Sequence, residues 1–425
     1  MNLSFPRLRA LPRRRVALGV RLVLAAVAAL PASSAADAEP AASSPSAPWQ
    51  VGAPIVTYWC GPPLTDATAT QMAEGGFNVV WCSEHELDVA ARHGLRAQLT
   101  DGLLSPSSLD DPGRLAELDA LVERVRRHPA LYAYFLVDEP SAAQFPALGR
   151  LVARLRERDP AHLAYVNLFP TYAKNAQLGT TGDVVTAYRE HLRRYVGEVK
   201  PALVSYDHYQ FEKARDGEQY FLNLAMIRRA AQDAGVPFLN IVQAAKWEPE
   251  LRVPNVDELR YLVFTTVAYG AQGISYYIYT CAGHEGGIAL PDGTPTPLYD
   301  ALKSYNREFV AIARELAPLR SLDVRHTAMK EPGCEPPPAT AVFRVDSPRQ
   351  ADGARGFLVG SFGEKERATH VVVVNLDYKA EAAVTLVGPG SLQVFDAALG
   401  RWSAPGLSKA ELRLPPGGGT LVRVR

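Results

Sequence analysis

The chain has only 4 cysteines among its 425 residues, and none stands at the spacing of a zinc site. Its 9 histidines include no pair four residues apart on a helix, so the expectation is no structural metal and no cofactor. Net charge is missing too: 45 basic side chains face 45 acidic ones, which excludes an overall field drawing the protein to nucleic acid or to anionic membranes. The balance predicts a substrate that is neutral or recognised locally. Beyond Leu30 no apolar run reaches the ~20 residues that span a bilayer. No Gly-rich phosphate loop follows the first predicted strand, where Tyr58-Trp59-Cys60-Gly61-Pro62-Pro63 stands instead, and this counts against an open dinucleotide-binding sheet.

What is present begins with a basic region, Arg7 to Arg15, then an apolar run, Val16 to Leu30, then the small residues Pro31 to Ala38. That order predicts a secretory signal over residues 1–38, hence a secreted or periplasmic protein with no membrane span once the signal is removed. Residues 39–50, rich in Pro, Ala and Ser, read as a flexible leader. From residue 51 to 320 short apolar runs alternate with amphipathic stretches, as in a parallel sheet wrapped by helices. The predicted strands are Ile55 to Trp59, Asn78 to Cys82, Arg96 to Thr100, Tyr132 to Val137, Leu163 to Leu168, Leu203 to Tyr206, Phe238 to Gln243 and Gly273 to Tyr279. Asp110-Asp111-Pro112, Ser141 and Asp183 open the helices Gly113 to Arg127, Ala142 to Arg158 and Val184 to Val199. Runs in this number and order predict an α/β fold, a (β/α)8 TIM barrel. After the helix Leu298 to Leu316 the pattern turns wholly to short strands, from Ala341 to Val345 through Thr420 to Val424, predicting an antiparallel β-sandwich over 321–425.

In such a barrel the working residues stand at the C-terminal ends of the strands. Those ends carry Trp59, Trp81, Asp101, Asp138-Glu139-Pro140, Asn167, Tyr206-Asp207-His208-Tyr209, Gln243 with Trp247 beyond it, and Tyr277 and Tyr279. Aromatic faces stack on the C–H faces of sugar rings, and Asn, Gln and Asp bond hydroxyls. Breaking a glycosidic bond needs a proton donor and a second group for the oxocarbenium-like centre. Glu139 follows an apolar strand beside Asp138, surroundings that raise a carboxyl pKa, so Glu139 is the expected donor. The bland reading is that Asp138 or Glu139 caps the helix that follows. Asp207 is the expected second carboxylate, with the alternative that it only bonds loop amides. Cys60, Cys82 and Cys281 end neighbouring strands, and one disulfide among them is expected.

The Asp-Glu-Pro strand ending, the Tyr-Asp-His-Tyr segment, and Glu258-Leu259-Arg260 through Ala268-Tyr269-Gly270-Ala271-Gln272-Gly273-Ile274 resemble barrel glycoside hydrolases of the large retaining clan, including relatives of the family 42 β-galactosidases. The resemblance spans most of residues 54–316 and implies that Glu139 is the acid/base. The clan's nucleophilic Glu at the end of strand seven has no counterpart here, because Gln243 stands there and the nearest glutamate is Glu248. A second resemblance, to family 20 and family 123 hexosaminidases, implies substrate assistance, with Asp138 orienting a 2-acetamido group and a tyrosine such as Tyr206 or Tyr277 bonding its oxygen. The expected partner is an oligosaccharide or polysaccharide cleaved by a glycosidase. A non-catalytic carbohydrate-binding barrel would keep the aromatic mouth without a paired acid.

Overall fold

The computed structural model describes residues 54–346 and 355–425, and the expected signal and leader lie outside them. Eight parallel strands, β1 (Ile55–Trp59), β2 (Val79–Cys82), β3 (Arg96–Leu99), β4 (Leu131–Asp138), β5 (Leu163–Leu168), β6 (Val204–His208), β7 (Phe238–Gln243) and β8 (Gly273–Tyr277), form one sheet in the order β1-β8-β7-β6-β5-β4-β3-β2. The two edges meet through side chains as well as backbone. Asn78 donates its backbone N–H to the Val56 carbonyl at 3.0 Å while its Oδ1 accepts from Val56 N–H at 2.9 Å, and Trp81 Nε1 donates to the Tyr58 carbonyl at 2.6 Å. These bonds close the barrel where regular pairing stops.

A helix follows each strand: α1 (Asp66–Glu74), α2 (Leu87–Arg92), α3 (Pro112–Val125), α4 (Phe145–Arg158), α5 (Val184–Arg194), α6 (Tyr220–Ala234), α7 (Val256–Ala268) and α8 (Pro297–Leu316). Local chemistry sets their ends. Asp111 accepts from the N–H groups of Gly113 and Arg114 ahead of Pro112, Asn255 and Glu258 form a reciprocal capping box, and Gly235 ends α6 with φ +67°. Among the described residues no helix is long and apolar enough to cross a membrane.

Alternation along the strands separates two apolar regions. Ile55, Val79, Ala133, Leu163, Tyr165, Leu203, Leu239 and Ile241 fill the barrel interior, whereas Val56, Tyr58, Tyr134, Val204, Tyr206 and Tyr276 face the helices. In β4 the register against β5 shifts between Phe135 and Val137, so that Asp138 lies opposite Asn167. A bulge of this kind re-aims a side chain, and here it turns Asp138 to the interior side that strict alternation from Ala133 and Phe135 would deny it.

The C-terminal strands are β9 (Arg320–His326), β10 (Arg344–Asp346), β11 (Phe357–Glu364), β12 (Arg367–Asn375), β13 (Ala382–Val387), β14 (Leu392–Asp396), β15 (Arg401–Trp402), β16 (Lys409–Leu414) and β17 (Gly419–Val424). They make a sheet of 6 strands and a sheet of 3, with Val359, Val371, Val373 and Val422 of one packed on Val384, Leu386, Leu412 and Leu414 of the other. The fold is therefore a TIM barrel followed by an antiparallel sandwich. The outer face of the larger sheet lies so close to α7 that any side chain at Gly360 would collide with the Ala268 carbonyl. Asp216, on the loop after β6, accepts from Tyr378 Oη at 2.6 Å, Arg355 at 2.9 Å and Arg252 at 3.1 Å, tying that loop to the sandwich.

Candidate active site

Three carboxyl groups converge on one mouth of the barrel. Asp138 ends β4, Glu139 follows it, and Asp207 is on β6, whose alternation turns Ser205 and Asp207 inward and Tyr206 and His208 outward. Glu139 holds φ at +46°, a left-handed conformation costly for a non-glycine residue, fixed by its N–H donating to the Asn167 carbonyl at 2.9 Å. The helical turn that opens α4 is capped by Ser141, whose N–H donates to Gln144 at 2.9 Å. Helix capping therefore does not account for Asp138 or Glu139.

A hydrogen-bonded chain supports Asp138 from the barrel floor. Tyr165 Oη and Ser205 Oγ share a bond of 2.8 Å, Ser205 Oγ donates to Asn167 Oδ1 at 3.2 Å, and Asn167 Nδ2 donates to Asp138 Oδ1 at 3.0 Å. Asp138 touches solvent at the mouth while protein surrounds it, and that desolvation pushes its pKa up to about 6 against the pull of the Asn167 bond. Glu139 is pushed up to about 7, first by burial and then by the charge of Asp138. Its carboxyl lies within hydrogen-bond reach of Asp207, which works in the opposite direction. Asp207 is only 5% exposed, and burial, then the charges of Glu139 and Asp138, hold it far above the usual carboxylate range. Tyr209 hydrogen-bonds to Asp207 and partly offsets this, while Asp207 Oδ1 has no partner.

Two aromatic groups flank the acids. On one side Trp59 packs edge to face with Trp81 and Phe135, which are tilted against each other, with Trp81 4.8 Å from each of the other two rings. On the other Tyr209, Trp247 and Tyr277 lie 4.6, 4.9 and 4.5 Å apart pairwise, and Tyr277 Oη meets His284 Nε2 at 3.1 Å. Sequence reasoning missed Phe135, His284 and Tyr172, whose hydroxyl accepts from Tyr209 N–H at 3.3 Å and which feels the charges of Asp207, Glu139 and Glu248. Phe135 could have been found by counting inward positions along β4, whereas Tyr172 and His284 come from loops without a periodic signal.

Several expected binding residues are placed elsewhere. Tyr206 is fully buried against the helix layer, near Tyr188, Tyr220 and Tyr269. His208, 1% exposed, has Nδ1 2.9 Å from Asn223 Oδ1, and burial lowers its pKa to about 4. Tyr279 lies outside the barrel beside Tyr58 and Phe77, its hydroxyl donating to Gln71 at 2.6 Å, because β8 ends at Tyr277. Gln243 is wholly occupied with loops, accepting from Phe211 N–H at 2.8 Å and donating to the Arg252 carbonyl at 2.8 Å. Asp101 is exposed and caps its own turn through Leu103 N–H at 2.8 Å. Asn167 reaches the site through Asp138. Glu248 stands exposed at the rim. All four cysteines are free thiols, with Cys60 in hydrogen-bonding contact with Cys281 and Cys82 buried. Among the described residues no group of three or more His, Cys, Asp or Glu is arranged to hold a metal.

Desolvated carboxyls with raised pKa values retain a proton near neutrality, and aromatic walls hold a ring against them, so the arrangement suits proton donation to a bound acetal oxygen. No protein-family model matches the sequence, and no curated protein is similar to it. Among solved structures, a family 5 glycoside hydrolase from Bacteroides vulgatus superposes with a TM-score of 0.52 at 11% identity, over 86% of this chain and 87% of that one. A β-galactosidase from the psychrophilic Marinomonas ef1 gives 0.43 at 12% identity over 62% of this chain, which spans 60% of that protein's length. At these identities the shared property is the fold, and the chain has the barrel architecture of solved glycoside hydrolases.

Proposed function

We propose that the protein is a glycoside hydrolase in which Glu139 donates the proton to the departing glycosidic oxygen. The observation that carries the reading is the meeting of Glu139, Asp207 and Asp138 at the C-terminal mouth of the barrel between the two aromatic groups. Glu139 transfers its carboxyl proton as the C1–O bond breaks. Water then adds at C1, and its proton returns to a carboxylate of the cluster. Asp207, hydrogen-bonded to Tyr209, is the second group facing the reacting carbon, and Asp138 sets the charge felt by Glu139. Trp59, Trp81, Tyr209, Trp247 and Tyr277 bind sugar rings. Export, expected from the basic and apolar N-terminal segment, belongs to the same reading and is checked by fractionating the producing cells.

The test is hydrolysis of a panel of aryl glycosides and oligosaccharides by the wild type and by Glu139→Gln. A variant that fails on poor leaving groups but keeps more activity on activated aryl ones identifies Glu139 as the donor. Unchanged activity on both kinds of substrate excludes it, and a protein that binds sugars without cutting any is a carbohydrate-binding barrel instead.

A further inference from the structure

The whole chain is electrically balanced, but the mouth is not. Among the described residues no Arg, Lys or His forms an ion pair with Asp138, Glu139 or Asp207. Two of the cations near the aromatic group along the chain are committed elsewhere, Lys246 to Glu285 at 2.5 Å and Arg252 to Glu258 at 2.6 Å and Asp216 at 3.1 Å, and a third, Lys213, is exposed. Acidic clusters at a protein surface ordinarily recruit arginine or lysine, because like charges within a few ångströms repel and buried carboxylates are poorly solvated. Among the described residues that compensation is missing. Asp207, 5% exposed, keeps an oxygen with no hydrogen-bond donor while it stands beside Glu139. Next to it, Tyr209 bonds Asp207 and packs edge-on against Trp247 and tilted against Tyr277, so the group lacking a donor and the aromatic rings belong to one site.

We infer that the sugar bound at this mouth carries a free, protonated amino group, which makes the substrate class a glycan of unacetylated hexosamine. The inference rests on the glycosidase reading. An ammonium group supplies what the site lacks, three N–H donors and a positive charge, and aromatic faces add cation–π attraction. A hydroxyl donates a hydrogen bond without relieving the repulsion, and an N-acetyl group is neutral. A carboxylate or sulfate on the sugar would increase the repulsion. Inorganic divalent cations are a poorer fit, since no ligand set for one exists among the described residues.

The experiment compares de-N-acetylated glucosamine and galactosamine oligomers with their N-acetylated forms and with unsubstituted glucose and galactose oligomers of the same linkages. Binding to the wild type is followed by calorimetry in buffers of different ionisation enthalpy, and cleavage by product analysis. The amine-bearing oligomers are expected to bind about tenfold tighter than the neutral ones at low salt, to lose most of that margin at high salt, and to release protons as they bind. Asp207→Asn is expected to reduce the margin severalfold without abolishing binding of the neutral oligomers, and Asp138→Asn serves if that variant misfolds. Equal or better binding and cleavage of the neutral or N-acetylated oligomers overturns the inference and leaves the glycosidase reading standing. If no sugar of any class is bound or cut, the glycosidase reading fails and the inference falls with it.

Discussion

Asn167 donates its side-chain amide to Asp138 across the β4–β5 register pair, at 3.0 Å, and this bond opposes the burial that raises the Asp138 pKa to about 6. Glu139 is raised to about 7, first by its own burial and then by the charge of Asp138. A proton donor works only while protonated, so kcat/KM is expected to fall as pH rises through about 7. Removing the neighbouring charge with Asp138→Asn lowers the Glu139 pKa and moves that alkaline limb to lower pH. Asn167→Ala, which lets Asp138 keep its proton longer, shifts the limb in the same direction by less. A pH–rate profile of the three proteins checks both signs, and an alkaline limb that stays fixed in Asp138→Asn refutes the coupling.

The same burial has a stability consequence at Asp207. Its folded-state pKa is raised above the unfolded value, so the folded protein holds that proton more tightly. The associated stability is complete at pH below about 4 and is lost as pH climbs toward the raised value. Asp207→Asn removes this loss. The variant is expected to be more stable than the wild type by about 1–2 kcal/mol near neutral pH, with the advantage vanishing near the unfolded carboxyl pKa, while activity falls. Urea titrations at both pH values measure it.

The barrel was legible in the sequence because its signals are local. Apolar runs of strand length alternate with helices whose caps, Asp111, Asp183 and Asn255, are each adjacent to what they cap. The site was legible only in part, since facing in or out depends on register. In β6 neighbouring residues point to opposite sides, so Tyr206 and Asp207 could not both line the mouth. In β4 the bulge reversed the parity at Asp138, which no period-2 reading contains. Gln243 and Tyr279 were misplaced for a related reason: a polar or aromatic residue at a strand end bonds a neighbouring loop or helix as readily as a ligand. Tyr172 and His284 enter from loops whose courses are set by tertiary packing.

The loop that carries Tyr209 is held from the sandwich side. Asp216, 12% exposed in its side chain, accepts from Tyr378, Arg355 and Arg252 together. Asp216→Ala leaves the partly buried Arg355 without its carboxylate and Arg252 with Glu258 alone, and is expected to cost about 3 kcal/mol. Tyr378→Phe removes two bonds, the one its hydroxyl donates to Asp216 and the one it accepts from Arg355 at 3.1 Å, and costs about 1–2 kcal/mol. In Tyr378→Phe the effect on catalysis is expected as a higher KM with little change in kcat, because the loop supplies a ring-binding residue and leaves Glu139 in place. A drop in kcat alone, with KM constant, contradicts that link.

Cys60 and Cys281 follow the first and last barrel strands, and the Cys60 carbonyl accepts from Thr280 N–H at 3.1 Å, which brings the two thiols into contact. Burial pushes the thiols of Cys60 and Cys82 alike up to about 12, so what sets Cys60 and Cys281 apart is their contact, while Cys82 is buried. On the strength of that contact, oxidised glutathione is expected to link Cys60 to Cys281 by thiol–disulfide exchange, each protein disulfide releasing two molecules of the reduced tripeptide. Closing so long a loop is expected to stabilise the fold by about 2–4 kcal/mol, reversibly on addition of reductant. The unfolded oxidised protein should then titrate as 2 free thiols instead of the 4 in the sequence, and peptide mapping should find Cys60 joined to Cys281. A mixed disulfide with glutathione at either residue, or a bridge to Cys82, shows that the contact does not set the pairing. Since the charges of both thiols are felt by Tyr277, the bridged protein is also expected to bind sugar with an altered KM.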